Sequence, residues 1–161
     1  MRPSAGIGCF VLIAILAGAV ALGASAGAFV NAPSIVFLAF GTLALSLMSF
    51  GLLPLARGLW ALRVLVADAS PTGLSAEDAS ILRGVIVHAY TWAAVLTLIG
   101  MVQILWDLDD PGMLTRGIGV LLIVPFYAML GAECVLRPAL HQVRLKLARP
   151  TEEDRSETAE E

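Results

Sequence analysis

The 161 residues are 58% hydrophobic and 14% charged, with a formal net charge of -3 and a mean hydropathy of +0.87. A soluble domain is about 45–50% apolar, so this chain has too little polar surface to coat itself in water. A soluble globular fold and a charge-driven nucleic-acid binder are both excluded; the expected surroundings are lipid and protein.

No charged residue occurs between Arg2 and Arg57, and a bilayer core about 30 Å thick needs only about 20 apolar residues per helix. That stretch holds two spans and a turn. The first covers about 7–29 and is rich in small residues: Ala14, Gly18, Ala21 and Ser25 form one helical stripe, with Gly23 and Gly27 beside it. Small faces let membrane helices approach closely, since apolar side chains gain nothing by leaving lipid. Arg2, the apolar run and Ala24-Ser25-Ala26 also imitate a signal peptide, but the run is long for one and a second span follows almost at once.

Asn31-Ala32-Pro33-Ser34 reads as a tight outer turn, because Pro33 biases Ala32 away from helix yet fits a helix's first turn itself. The second span, 34–56, carries Gly41 and a weakly polar stripe of Thr42, Ser46 and Ser49, hydroxyls that can bond back one turn or across to a neighbour. Its helical pattern runs on through Arg57, Arg63 and Val66, which predicts a continuous helix projecting into the cytoplasm.

The turn formers from Asp68 to Gly73 end that helix, and Ser75-Ala76-Glu77-Asp78 predicts the capped, acidic start of the next. The third span covers 84–106 and ends on Trp106, a residue type that favours the interface. Asp109-Asp110-Pro111-Gly112 forms the second outer turn. The fourth helix is expected from about Thr115 through Arg149, with its span at 117–136 and a basic cytoplasmic end. Four spans put Arg2, Arg57, Arg63, Arg83, Arg137, Arg144, Lys146 and Arg149 on one side and only Arg116 on the other. Basic residues near helix ends are retained in the cytoplasm, so both termini are expected there. The expected fold is therefore all-α and polytopic, a membrane domain over 1–150 with helices two to four extended into the cytoplasm. The tail, 151–161, carries six acids against one Arg and is expected to be disordered and solvated.

Glu133 is the only acid inside a span, which makes it a functional candidate. Sixteen residues separate it from Gly117, about 24 Å of helix, so it lies near the inner edge of the core. An i, i+4 pair with Arg137 is the simpler role. His88 and His141 share no ligand spacing, and Cys9 and Cys134 lie in different apolar spans. No Gly-rich phosphate loop, Ser-His-Asp arrangement or metal-ligand pattern occurs. Neither an enzyme nor a cofactor protein is expected.

The string from Thr97-Leu98-Ile99-Gly100-Met101-Val102-Gln103-Ile104-Leu105 to Asp107-Leu108-Asp109-Asp110-Pro111 resembles the third helix and outer loop of the MotA/TolQ/ExbB family, closest to its MotA-type members. Asn31-Ala32-Pro33-Ser34, Gly41-Thr42 and Ser49-Phe50 resemble the family's first outer turn and second helix, and Tyr127 with Pro138 fits its fourth helix. The resemblance covers nearly all of the membrane part. It implies a homo-oligomeric ring of subunits in a bacterial inner membrane, around a single-span partner that bears an intramembrane aspartate. Ion passage then drives motion of one against the other, with Thr97 at the family threonine that faces that aspartate. Tyr90 stands where the family has a proline; with Glu133 it completes the candidate ion path. Ala93 and Leu96 replace family glycines, Val124-Pro125 replaces a threonine on helix four, and the large cytoplasmic insertion shrinks to about 64–83. These departures leave a second reading, a non-conducting scaffold that kept the ring-forming helices. The helix-packing candidates are Gly18, Gly23, Gly27, Gly41, Thr42, Ser46, Ser49 and Gly100.

Overall fold

The computed structural model describes residues 26–62, 74–106 and 111–148, with positions 11, 14, 15, 17–19, 21 and 22. Five α-helices lie wholly among the described residues: α1, Ala32–Phe50; α2, Leu52–Trp60; α3, Ala76–Trp106; α4, Pro111–Gly131; and α5, Arg137–Leu147. A π-helical segment, Ala132–Leu136, joins α4 to α5 without a break. Among the described residues there is no strand.

Three helical stretches are long and apolar enough to cross a bilayer: Ala32–Phe50, Ala76–Trp106 and Gly117–Leu147. They correspond to the second, third and fourth spans expected from sequence. The first expected span falls in part outside the described residues; its described positions up to Leu22 are helical, and Ala26–Phe29 forms a short 3-10 turn. The acidic tail and Asp107–Asp110 lie outside the described residues.

Local chemistry explains where the helices start. Asn31 is the N-cap of α1, its Oδ1 accepting from the Ser34 N–H at 3.3 Å, with proline in the first turn where no intrahelical N–H is needed. Ser75 and Asp78 form a reciprocal cap on α3: Asp78 Oδ2 accepts from the Ser75 N–H at 2.7 Å, while Ser75 Oγ accepts from the Asp78 N–H at 3.3 Å.

The expected continuous second helix is corrected at Gly51, where φ is +78° and ψ 171°. A side chain would be strained in that conformation, which only glycine adopts readily. Pro54 follows in the first turn of α2, where its missing N–H costs nothing. α2 therefore starts as a separate helix, held by Leu55, Ile81 and Val85 packed with Phe50, Leu59 and Leu136.

The largest buried cluster joins α3 to α5, with Ala79, Leu82 and Ile86 against Ala132, Ala139, Leu140 and Val143. A second cluster lies further along α3, with Leu38, Ala93, Val124 and Ala128 supported by Trp92, Leu96 and Tyr127. The outer faces remain apolar: Phe40, Met48, Leu98 and Trp106 are all well exposed. A soluble monomer rarely exposes so many large apolar side chains along its helices.

Candidate functional site

Two residues of the expected ion path meet. Tyr90, on α3, donates its hydroxyl to Glu133 Oε1 at 2.7 Å. The same oxygen accepts from Arg137 Nε at 2.9 Å, so the expected i, i+4 pair is present and tyrosine joins it. Glu133 sits in the π segment, where the Arg137 N–H bonds to the Ala132 carbonyl, one residue further back than in an α-helix. Pro138 accounts for the widening: it has no N–H to offer Cys134 and its ring crowds that carbonyl. Single π turns of this kind recur at functional positions.

Thr97 stands apart from this triad. Its hydroxyl donates to the Ala93 carbonyl at 2.8 Å and the residue is half-buried. A hydroxyl has one proton and two lone pairs, so after this bond the oxygen can still accept. Thr97 lies seven residues beyond Tyr90 on one stripe of α3, about 10 Å along the helix. The stripe carries an oxygen at each end, with Ala93 between them.

On the opposite side of α3, the sequence stripe of α1 acquires a partner that spacing did not reveal. His88 lies between Ser46 and Ser49, with Nδ1 3.0 Å from Ser46 Oγ and Nε2 3.3 Å from Ser49 Oγ. Read alone, His88 is an interfacial side chain; in the fold it ties α1 to α3. Thr42 contributes its carbonyl, which accepts from Ser46.

Glycines set the registers that create these contacts. A Cβ on Gly41 would fall 1.7 Å from Trp92 Nε1, and one on Gly84 would fall 2.2 Å from the Phe50 ring. The Trp92 indole lies in the Gly41 notch and donates to the Phe37 carbonyl at 2.8 Å. Gly100 meets Leu121 more loosely, at 3.0 Å. Gly58 and Gly84, absent from the sequence-based packing set, are also closely covered, Gly58 by Ile81 at 2.5 Å. Among the described residues no other helix comes within 4 Å of such a Cβ at Gly18 or Gly27, and Gly23 lies outside the described residues.

The opposite end is held by Tyr127, whose hydroxyl accepts from the Asn31 N–H at 2.8 Å and donates to the Phe29 carbonyl. One α4 side chain thus secures the turn before α1. Beside it, an open apolar cavity of about 710 Å³ lies among α1, α3 and α4, with Ser34 and Gln103 its polar side chains; Thr97 is not part of that lining. Among the described residues no cluster of histidine, cysteine or acidic groups could hold a metal ion. Compared with known proteins, the chain matches no family model and no curated sequence.

Proposed function

We propose that this chain is an integral membrane subunit of an ion-driven complex of the MotA/TolQ/ExbB kind. In this reading four spans cross a bacterial inner membrane with both termini in the cytoplasm, and copies form a ring around a single-span partner bearing an aspartate. The observation that carries it is the polar stripe of α3: Thr97 and Tyr90 lie on one face, and Tyr90 is fixed by Glu133. A proton or sodium ion carried by the partner's carboxylate needs oxygens beside it in the bilayer core, where an unpaired polar group costs several kcal/mol. Thr97 offers its lone pairs there. Tyr90 offers the next oxygen toward the inner edge, and Glu133, held by Arg137, orients Tyr90 without leaving its ion pair. Gly18 and Gly27, which no other described helix covers, supply close-approach surface for neighbouring copies.

The scaffold reading draws on a specific observation as well. Tyr127 is the one hydroxyl-bearing side chain of the fourth span, and it is committed to the turn at Phe29 and Asn31. The second wall of an ion path would then have to come from the partner.

Flux into lipid vesicles holding the protein with its co-purifying partner separates the two. Conduction by wild type that Thr97→Val abolishes, with the assembly intact by native mass spectrometry, is the expected result. Equal conduction by the variant removes Thr97 from the path; no conduction by either favours the scaffold.

A further inference from the structure

The hydroxyls around His88 can be counted proton by proton. Ser46 Oγ donates to the Thr42 carbonyl at 2.8 Å, and Ser49 Oγ donates to the Leu45 carbonyl at 2.9 Å. Each hydroxyl has one proton, so both are spent on the backbone of α1, and toward His88 both serines can only accept. Both ring nitrogens must then donate, which imidazolium does and a neutral ring does not. For the neutral ring, one serine must turn its proton from the helix carbonyl to the bare nitrogen. The site therefore satisfies either charge state with a single hydroxyl rotation.

Burial decides which serine turns. Ser46 is completely buried and has the shorter contact with the ring, at 3.0 Å. Ser49 is exposed and its contact is longer, at 3.3 Å. The Phe50 ring lies 5.8 Å from the imidazole, seated in the Gly84 notch, and shields it from that side. α1 has no ionisable residue. Of the charged and titratable groups on the other elements packed against α3, Arg57 of α2 is taken up by Asp78, and Glu133 of the π segment by Tyr90 and Arg137. On α3 itself Arg83 is exposed, as are His141 and Arg144 on α5. Among the described residues, the groups that meet the imidazole are the two serine hydroxyls and the Phe50 ring.

We propose that His88 is a proton-binding site shared by α1 and α3, with Ser46 as the sealed acceptor on Nδ1 and Ser49 as the exposed hydroxyl through which the proton enters and leaves Nε2. In the neutral site Nδ1–H donates to Ser46, and Ser49 donates to Nε2. A hydronium ion on the exposed side gives a proton to Ser49 Oγ as that hydroxyl passes its own proton to Nε2. Water is left behind, the Ser49 hydroxyl turns back to the Leu45 carbonyl, and the ring carries the charge. Release runs the same steps backward. The site stands whether or not the assembled complex conducts, because it needs only this chain.

Ring-nitrogen NMR on the full chain in lipid bilayers tests it. The chain has two histidines, so a His141→Gln background leaves His88 as the only signal. The neutral ring is expected to hold its proton on Nδ1, the reverse of free histidine in water, and to gain the second proton on Nε2 upon acidification. Ser46→Ala removes the Nδ1 acceptor and should move the neutral-state proton to Nε2, a change of about tenfold in tautomer ratio for one buried hydrogen bond. Ser49→Ala should leave it on Nδ1. A wild-type neutral ring protonated on Nε2, or a ratio that Ser46→Ala does not move, overturns the assignment. Should Ser46→Ala fail to insert, the wild-type tautomer and Ser49→Ala decide.

Discussion

Replacing Gly41 with alanine puts the register between α1 and α3 under direct load. The added methyl would lie 1.7 Å from Trp92 Nε1, 1.9 Å from Cε2 and 2.4 Å from Cδ1, well inside van der Waals contact with a rigid ring. The indole has little freedom to retreat, since Nε1 is bonded to the Phe37 carbonyl one turn earlier on α1, at 2.8 Å. Relief requires a shift of more than an ångström and loss of that bond. The bond contributes about 0.5–1.5 kcal/mol and overpacking costs about 1–3 kcal/mol. Against this, alanine gains about 0.5–1 kcal/mol over glycine in a helix interior. The net expectation is a loss of about 0.5–4 kcal/mol.

Gly119→Ala is the matched control, because among the described residues no other helix comes within 4 Å of its Cβ position; it should be neutral or gain up to about 1 kcal/mol. Equilibrium unfolding in mixed micelles reads both. Substituting Trp60 and Trp106 by phenylalanine leaves Trp92 as the one indole of three, so emission follows the contact itself. A Gly41→Ala protein as stable as wild type, with unchanged Trp92 emission, would refute the close approach of α1 and α3 at this level.

Three further outcomes follow from single contacts. Tyr127→Phe removes a hydroxyl that serves both the Asn31 N–H and the Phe29 carbonyl; the loss should be about 1–2 kcal/mol, with faster amide exchange at Asn31. Asp78→Ala strips the α3 cap of its acceptor for the Ser75 N–H and Oγ–H and should cost about 1–2 kcal/mol, read as faster exchange through the first turn of α3. Glu133→Gln should change stability by less than about 1 kcal/mol, since its partner Arg137 is 59% exposed and glutamine still accepts from Tyr90; chemical unfolding checks it, and vesicle flux should persist.

What the sequence made legible was local. The Ser75–Asp78 cap could be read because capping is decided within three or four residues, whereas the expected turn at Asn31–Ser34 is the first turn of α1, with Asn31 as its N-cap and Ala32 already helical. The Glu133–Arg137 pair could be read because an i, i+4 spacing needs no knowledge of other helices. The break at Gly51 was hidden inside a hydrophobic run, where glycine is as common in helix contacts as in helix ends and hydropathy continues through Leu52 and Leu53. Pro138 was visible, but whether a proline kinks a helix or widens the turn before it depends on what the freed carbonyls meet. The His88–Ser46–Ser49 and Tyr90–Glu133 contacts were out of reach for a different reason. Each depends on the height of one helix against another, which is set by Trp92 in the Gly41 notch and Phe50 in the Gly84 notch. Gly58 and Gly84 were missed because they lie outside the small-residue stripes on which the packing set was built.

The polar contacts and the backbone irregularities coincide in height, and one explains the other. His88 and Tyr90 are two residues apart on α3 and face opposite sides, since two residues turn a helix by about 200°. At that level α1 stops at Phe50, Gly51 takes its positive φ, and the fourth helix widens at Ala132–Leu136. Freed backbone groups are tolerated at membrane depth only where side chains or water satisfy them. Polar side chains, in turn, are cheapest where water is near. A single band of the molecule supplies both, with hydroxyls and imidazole on the α1 side of α3 and tyrosine, carboxylate and guanidinium on the other. α3 passes through the band as a regular helix, so a shift of α3 along its axis would strain both sets of contacts together. Proton uptake at His88, which changes what Ser49 bonds to on α1, is in this way mechanically adjacent to the triad that fixes Tyr90.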